Sequence, residues 1–176
     1  MIYVGIDPGK NGALAMLFQD NSILVYDLAT LYDDTGTSNN SINPNKLKVL
    51  VEKGIKPCGK DMVVFCERPI FAGGGFTIKT PMSMYESYGV IRTVFECGDI
   101  PFRGVRPKEW IKYYPELYHP KKKRDKEESI ALAKKLFPDS TEIFEYKVLK
   151  GHYKGKVIGL DGRAEAVLIA NFARSF

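Results

Sequence analysis

The sequence predicts a mixed α/β domain. Its five-stranded sheet would combine a three-strand antiparallel meander with two parallel strands, flanked by helices. Three observations predict it. Three short apolar runs near the start are joined by tight turn signals. The run "DMVVFCE" at 61–67 is almost continuously apolar, as a strand covered on both faces must be. The rest of the chain intersperses helix start and stop signals with one more short strand signal. The 176 residues suffice for one core, and no stretch reads as a linker, so a single domain over residues 1–176 is expected.

Taken in order, Ile2–Asp7 reads as the first strand, and "PGKNG" turns it into a second run, Ala13–Phe18. "QDN" then leads to a third, Ile23–Leu28. The polar stretch 32–43 is a loop. Asn43 can cap a helix with Pro44 in its first turn, running to about Ile55. The fourth strand is 61–67. After the glycine-rich loop "RPIFAGGGFTIKT", Thr80 would cap a helix with Pro81 in its first turn, ending near Cys97 with Gly98 as its C-terminal glycine. "PFRGV" at 101–105 is a short strand, and Pro107 starts a short helix. Asp125 would cap a helix reaching about Phe137, stopped by Pro138. Residues 138–159 read as irregular, and the chain closes with the helix "LDGRAEAVLIANFARSF".

Composition excludes several classes. Hydrophobic residues make up 44%, too many for a disordered chain, and no apolar run approaches bilayer-spanning length. The N-terminus has no basic segment followed by a long apolar core, so no signal peptide is expected. Cys58, Cys66 and Cys97 are odd in number and widely spaced, a poor zinc set even with His119 and His152. They are expected to pack as small apolar residues in a reduced, cytoplasmic protein. The net charge of +5 is uneven: residues 1–100 carry nine Lys/Arg and eleven Asp/Glu, residues 101–176 seventeen and ten. A basic half suggests a polyanionic partner.

Four acids carry the chemical argument. Asp7 and Glu67 each end a strand, where α/β sheets usually build their sites. Asp161 and Glu165 lie four apart on the last helix, about 40° apart around its axis. Like charges so placed repel unless a cation lies between them. A charge of −4 would neutralise two Mg²⁺, with Mn²⁺ as a substitute, since the donors are hard oxygens. Two such ions about 3.5–4 Å apart can activate a water and stabilise the leaving oxygen of a phosphodiester. Read singly, each acid has a plainer role: Asp7 as a turn former before Pro-Gly, Glu67 as partner of Arg68, the helical pair as a solvated face.

These residues bring out a resemblance. "GIDPGKNGALA", "VVFCERP", "RPKEWIK", "KEESIALAKKLFP" and "DGRAEAVLIA", in this order over nearly the whole chain, resemble the RuvC-type Holliday junction resolvases of the RNase H-like nuclease superfamily. The compact form with an insertion at 138–159 is closest in character to bacteriophage versions, which would act in the host cytoplasm. The resemblance implies an RNase H-like fold and a Mg²⁺-dependent endonuclease that resolves four-way DNA junctions as a homodimer. It puts the metal-binding, catalytic roles on Asp7, Glu67, Asp161 and Glu165. The family most often spaces the last two acids by three, whereas here they are four apart and the second is Glu. The resemblance also implies a catalytic cation near the start of the preceding helix, for which Lys126 is the candidate. It places dimer contacts on the helix 81–97, which carries Met82, Tyr85, Tyr88, Gly89, Val90 and Val94.

Two further features fit a DNA partner. "HPKKKRDKE" gathers Lys121, Lys122, Lys123 and Arg124 beside Lys126, a pattern suited to phosphate contacts without base readout. Lys147, Lys150, Lys154 and Lys156 could extend that surface. On the glycine loop an exposed aromatic could stack on an unpaired base, and the resemblance makes Phe71 that residue. The loop is no P-loop, because Gly-Lys-Ser/Thr never follows its glycines, and no nucleotide cofactor or membrane is expected. The rival readings are an RNase H-like nuclease for flaps or other branched DNA, a sugar-kinase-like ATP-binding fold, and a non-catalytic DNA-binding module. The second lacks its further phosphate loop and usual length. The third is disfavoured by four acids, which repel phosphate unless metal intervenes.

Overall fold

The computed structural model describes residues 1–9, 11–32, 42–59, 61–70, 79–120, 125–150 and 154–176, with backbone alone for 79–81. β1 (Ile2–Ile6), β2 (Ala13–Leu17) and β3 (Ile23–Asp27) form the expected antiparallel meander. α1 (Pro44–Leu50) starts at Asn43, whose side chain accepts from the backbone N–H groups of Asn45 (2.8 Å) and Lys46 (3.2 Å). Beyond Leu50 the expected helix changes pitch, widening to π geometry over Val51–Ile55 and tightening to 3₁₀ over Lys56–Cys58.

β4 (Met62–Glu67) runs parallel to β1 with Ile6 opposite Cys66. α2 (Lys79–Cys97) begins before Thr80, which therefore lies inside the helix rather than capping it. At its far end Asp99, not Gly98, takes the left-handed backbone (φ 56°). β5 (Phe102–Val105) pairs parallel with β4. α3 (Pro107–Tyr113) follows, then α4 (Lys126–Leu136), which Asp125 and Glu128 close with a reciprocal capping box.

Residues 138–159 correct the expectation of irregular chain. A 3₁₀ stretch over Pro138–Phe144 leads into a hairpin of β6 (Glu145–Lys147) and β7 (Val157–Gly159). α5 (Asp161–Ala173) ends the set.

The main sheet runs β3-β2-β1-β4-β5, which makes β1 central. The residue period of two divides its side chains between two buried layers. Val4, Ile6, Leu14, Met16, Val64 and Cys66 face a layer that includes α1 and α2. Ala13, Ala15, Leu17 and Phe65 face a layer that includes α3, α4 and α5. Cys66 packs as an apolar residue, as expected, but Cys58 and Cys97 are exposed. Among the described residues no helix is long and apolar enough to cross a membrane.

α5 lies unusually close to the central strand. A Cβ on Gly5 would stand 2.1 Å from the Ala166 carbonyl oxygen and 2.3 Å from the Ala170 nitrogen. A Cβ on Gly162, in the first turn of α5, would stand 2.1 Å from the Asn11 carbonyl oxygen in the β1–β2 turn. Hydrogens in place of side chains let the helix settle onto the sheet, and this sets the height of its acidic first turns over the end of β1.

Candidate active site

The sheet fixes two of the four acids. Asp7 follows directly on β1 and donates its N–H to the Ala13 carbonyl (3.0 Å), so its backbone still belongs to the ladder. Because Ile6 and Cys66 are register partners, Asp7 and Glu67 leave neighbouring strands at one level. Alternation turns both toward the layer that holds α5. The Asp7 carboxylate also accepts the Gly9 N–H (3.1 Å), so the turn-forming role and the site role coexist in one side chain.

Each remaining group arrives from the helical layer. Trp110 of α3, fully buried, donates its indole N–H to Glu67 Oε2 at 2.7 Å. Glu165 of α5 is buried, and the Ser129 hydroxyl of α4, fully buried, donates to its Oε1 at 3.4 Å. Lys126, the first residue of α4, forms an ion pair with Asp161, the first residue of α5.

Electrostatics tie Asp7 to both acids of α5. Burial first, and then the Glu165 carboxylate, push the Asp7 pKa up to about 7. The Gly9 N–H lowers it, Asp161 raises it further, and Lys126 lowers it slightly. Asp161, above all, holds the Lys126 ammonium in its charged form, with smaller help from Glu165 and Asp7. Beneath them, burial and the charges of Asp7 and Glu67 push the Cys66 thiol far up, so it stays a neutral packing group.

Of the residues singled out in the sequence, Asp7, Asp161, Glu165 and Lys126 therefore share one field, and Glu67 leaves the adjacent strand beside Asp7. Phe71 and Lys121–Arg124 lie outside the described residues. Trp110 and Ser129 were not foreseen. Among the described residues, no group of three or more His, Cys, Asp or Glu is already gathered as a metal cage. The donors nevertheless suit a hard dication in type: all are carboxylate oxygens, and the charges of Glu165 and Asp161 add to the burial that raises Asp7.

No protein-family model matches the chain, and no curated protein matches it in sequence. Solved structures do match in shape. RuvC of T. thermophilus in complex with a Holliday junction substrate superposes with a TM-score of 0.61 at 12% identity, over 99% of this chain and 92% of that one. A second Thermus thermophilus RuvC structure gives 0.57 at 14% identity, over 99% and 96%. The five-stranded mixed sheet with helices on both faces has the RuvC, RNase H-like fold.

Proposed function

We propose that this chain is a single-domain, divalent-metal-dependent endonuclease that resolves four-way DNA junctions by phosphodiester hydrolysis, acting as a homodimer. The observation that carries the reading is the convergence of acids at the end of the central strand: Asp7 and Glu67 leave neighbouring strands at one level, and Glu165 and Asp161 of α5 act on Asp7 from the helical layer. Like charges held together in a partly buried place are costly to folding, and such clusters mark sites of chemistry. The likeness of fold to a RuvC bound to a Holliday junction supports a branched DNA substrate.

Asp7, Glu67, Asp161 and Glu165 would hold two Mg²⁺ or Mn²⁺ ions. When bound, such ions supply an activated water and neutralise the leaving oxygen. The rest of the work belongs to the chain itself. Trp110 fixes the direction of the Glu67 carboxylate through its indole N–H, and Ser129 does the same for Glu165. Lys126 keeps its positive charge beside Asp161 and offers it to a phosphate oxygen as charge grows there. Phe71 would stack on a base at the crossover. Lys121, Lys122, Lys123 and Arg124 would hold phosphates of the arms without reading sequence.

The test compares four-way, three-way and flapped DNA of one sequence with purified protein and Mn²⁺. The four-way junction is expected to be cut fastest. Asp7→Asn is expected to lower cutting at least about a hundredfold while junction binding stays. Equal rates on all three substrates would overturn the junction assignment, and wild-type cutting by Asp7→Asn would overturn the metal site.

A further inference from the structure

The β6–β7 hairpin presents two unlike faces. On one, Glu145 pairs with Lys134 of α4, and a Cβ on its cross-strand partner Gly159 would stand 2.5 Å from Ile130 Cδ1 of the same helix. That face is seated on α4. On the other, the cross-strand pair Tyr146 and Ile158 lines a cleft of about 370 Å³. The β1–β2 turn at Asn11 and Gly12 and the site acid Asp161 line the same cleft. The wall therefore reaches the candidate active site directly.

The charge of this wall points to one kind of occupant. Residues 145–159 contain four lysines and a single acid, Glu145, which Lys134 already neutralises. Lys147, Lys150 and Lys154 are exposed, and so is Tyr146, by half of its surface. The two acids in the cleft are also engaged: Asp27 accepts two hydrogen bonds from Arg163 (2.7 and 2.6 Å), and Asp161 pairs with Lys126. Exposed lysines in the same hairpin as an exposed ring, with every acid that lines the cleft paired, suit a sugar–phosphate backbone carrying bases.

We propose that the hairpin is a DNA-docking arm. One substrate strand, on leaving the scissile position, passes through the cleft with a base or sugar against Tyr146 and its phosphates on Lys150 and Lys154 at the far end of the hairpin. The arm rests on the nuclease reading for its substrate, and its test is kept separable from that reading. Binding is measured on a labelled four-way junction by fluorescence anisotropy, in an Asp7→Asn background so that no cutting intervenes, from 50 to 200 mM salt. Lys150→Ala with Lys154→Ala is expected to flatten the slope of log affinity against log salt by about 2, and to weaken binding about tenfold near 100 mM. Tyr146→Ala is expected to weaken binding about tenfold, and Tyr146→Phe, which keeps the ring, to bind as the parent does. Thermal unfolding of all three variants should match the parent, since these side chains are exposed. Parental affinity and salt slope in both the lysine and the alanine variants would overturn the arm. A wild-type protein that binds junctions through the hairpin yet cuts no DNA would support the arm and sink the nuclease reading.

Discussion

Asp7 works against the stability of its own fold. Its carboxyl goes from an ordinary 3.8 to about 7 on folding. The native state therefore holds the proton more tightly than the unfolded chain does. The stability this group contributes is present in full below about pH 4, shrinks as the pH rises, and is gone above about pH 7. The swing is at most about 4 kcal/mol. Asp7→Asn keeps an acceptor for the Gly9 N–H but carries no charge, so it should melt several degrees above wild type at pH 8 and no higher at pH 4. Mn²⁺ should raise the wild-type melting temperature at pH 8 and leave that of the variant almost unmoved. Differential scanning calorimetry at the two pH values reads all of this. A variant less stable than wild type at pH 8 would show that the carboxylate is not buried at a cost. At this scale the acids were legible because a carboxylate at the end of an apolar strand is out of place. Trp110 and Ser129 were missed, although each left a signal. A buried indole needs an acceptor for its N–H. Ser129 sits three and four residues before Leu132 and Ala133, on the apolar stripe of α4, where a hydroxyl needs a partner.

At the scale of elements, the candidate site depends on the contact of α5 with β1. Gly5 faces the backbone of α5 rather than a side-chain tip, so an added methyl has nothing flexible to displace. Gly5→Ala should lower stability by about 3 kcal/mol, a loss of roughly 6–12 °C in melting temperature, because the helix must lift from the sheet. Gly89 of α2 is the internal comparison: a Cβ there meets nothing within 4 Å, and Gly89→Ala should gain up to about 1 kcal/mol from helix propensity. Thermal melts of the two variants side by side decide the matter, and equal effects would deny the close approach. The strands of the meander were legible because their turns are strong punctuation and their apolar runs are five residues long. β6 and β7 were not. Each has three residues, and the alternation is too brief to separate from loop sequence. They rest on α4 and on the 3₁₀ stretch before them, where the Leu160 N–H donates to the Phe144 carbonyl (2.8 Å), contacts that no local pattern announces. The pitch change after Leu50 was invisible for a similar reason, since Val51 and Ile55 still keep helical spacing and both are buried.

For the whole molecule, the proposed activity raises the question of how one site per chain would make the two cuts that resolve a junction. Resolution takes two cuts in opposed strands, and the proposed homodimer would bring two copies onto one substrate. α2 offers the surface. Ile91 and Phe95 are buried against the sheet, while Met82 (62% exposed) and Tyr85 (40% exposed) stand outward with Gly89 further along the same side. Methionine and tyrosine are favoured at the cores of protein interfaces. Arg92 and Glu96, paired at 2.8 Å, would sit at the polar rim. In the proposed homodimer a patch this narrow would give a modest contact, which a shared junction would reinforce by raising the effective concentration of the second copy. Met82→Glu with Tyr85→Glu puts four like charges across a two-fold contact and should leave a 19.8 kDa monomer in sedimentation at micromolar concentration, where wild type sediments at twice that mass. The fold should be untouched, since both side chains are exposed. On a four-way junction the variant should yield single nicks, where wild type releases paired, ligatable duplexes. A wild-type monomer that still makes paired cuts, or a double variant that remains dimeric, would move the contact away from α2 and require another surface to bring the two sites together.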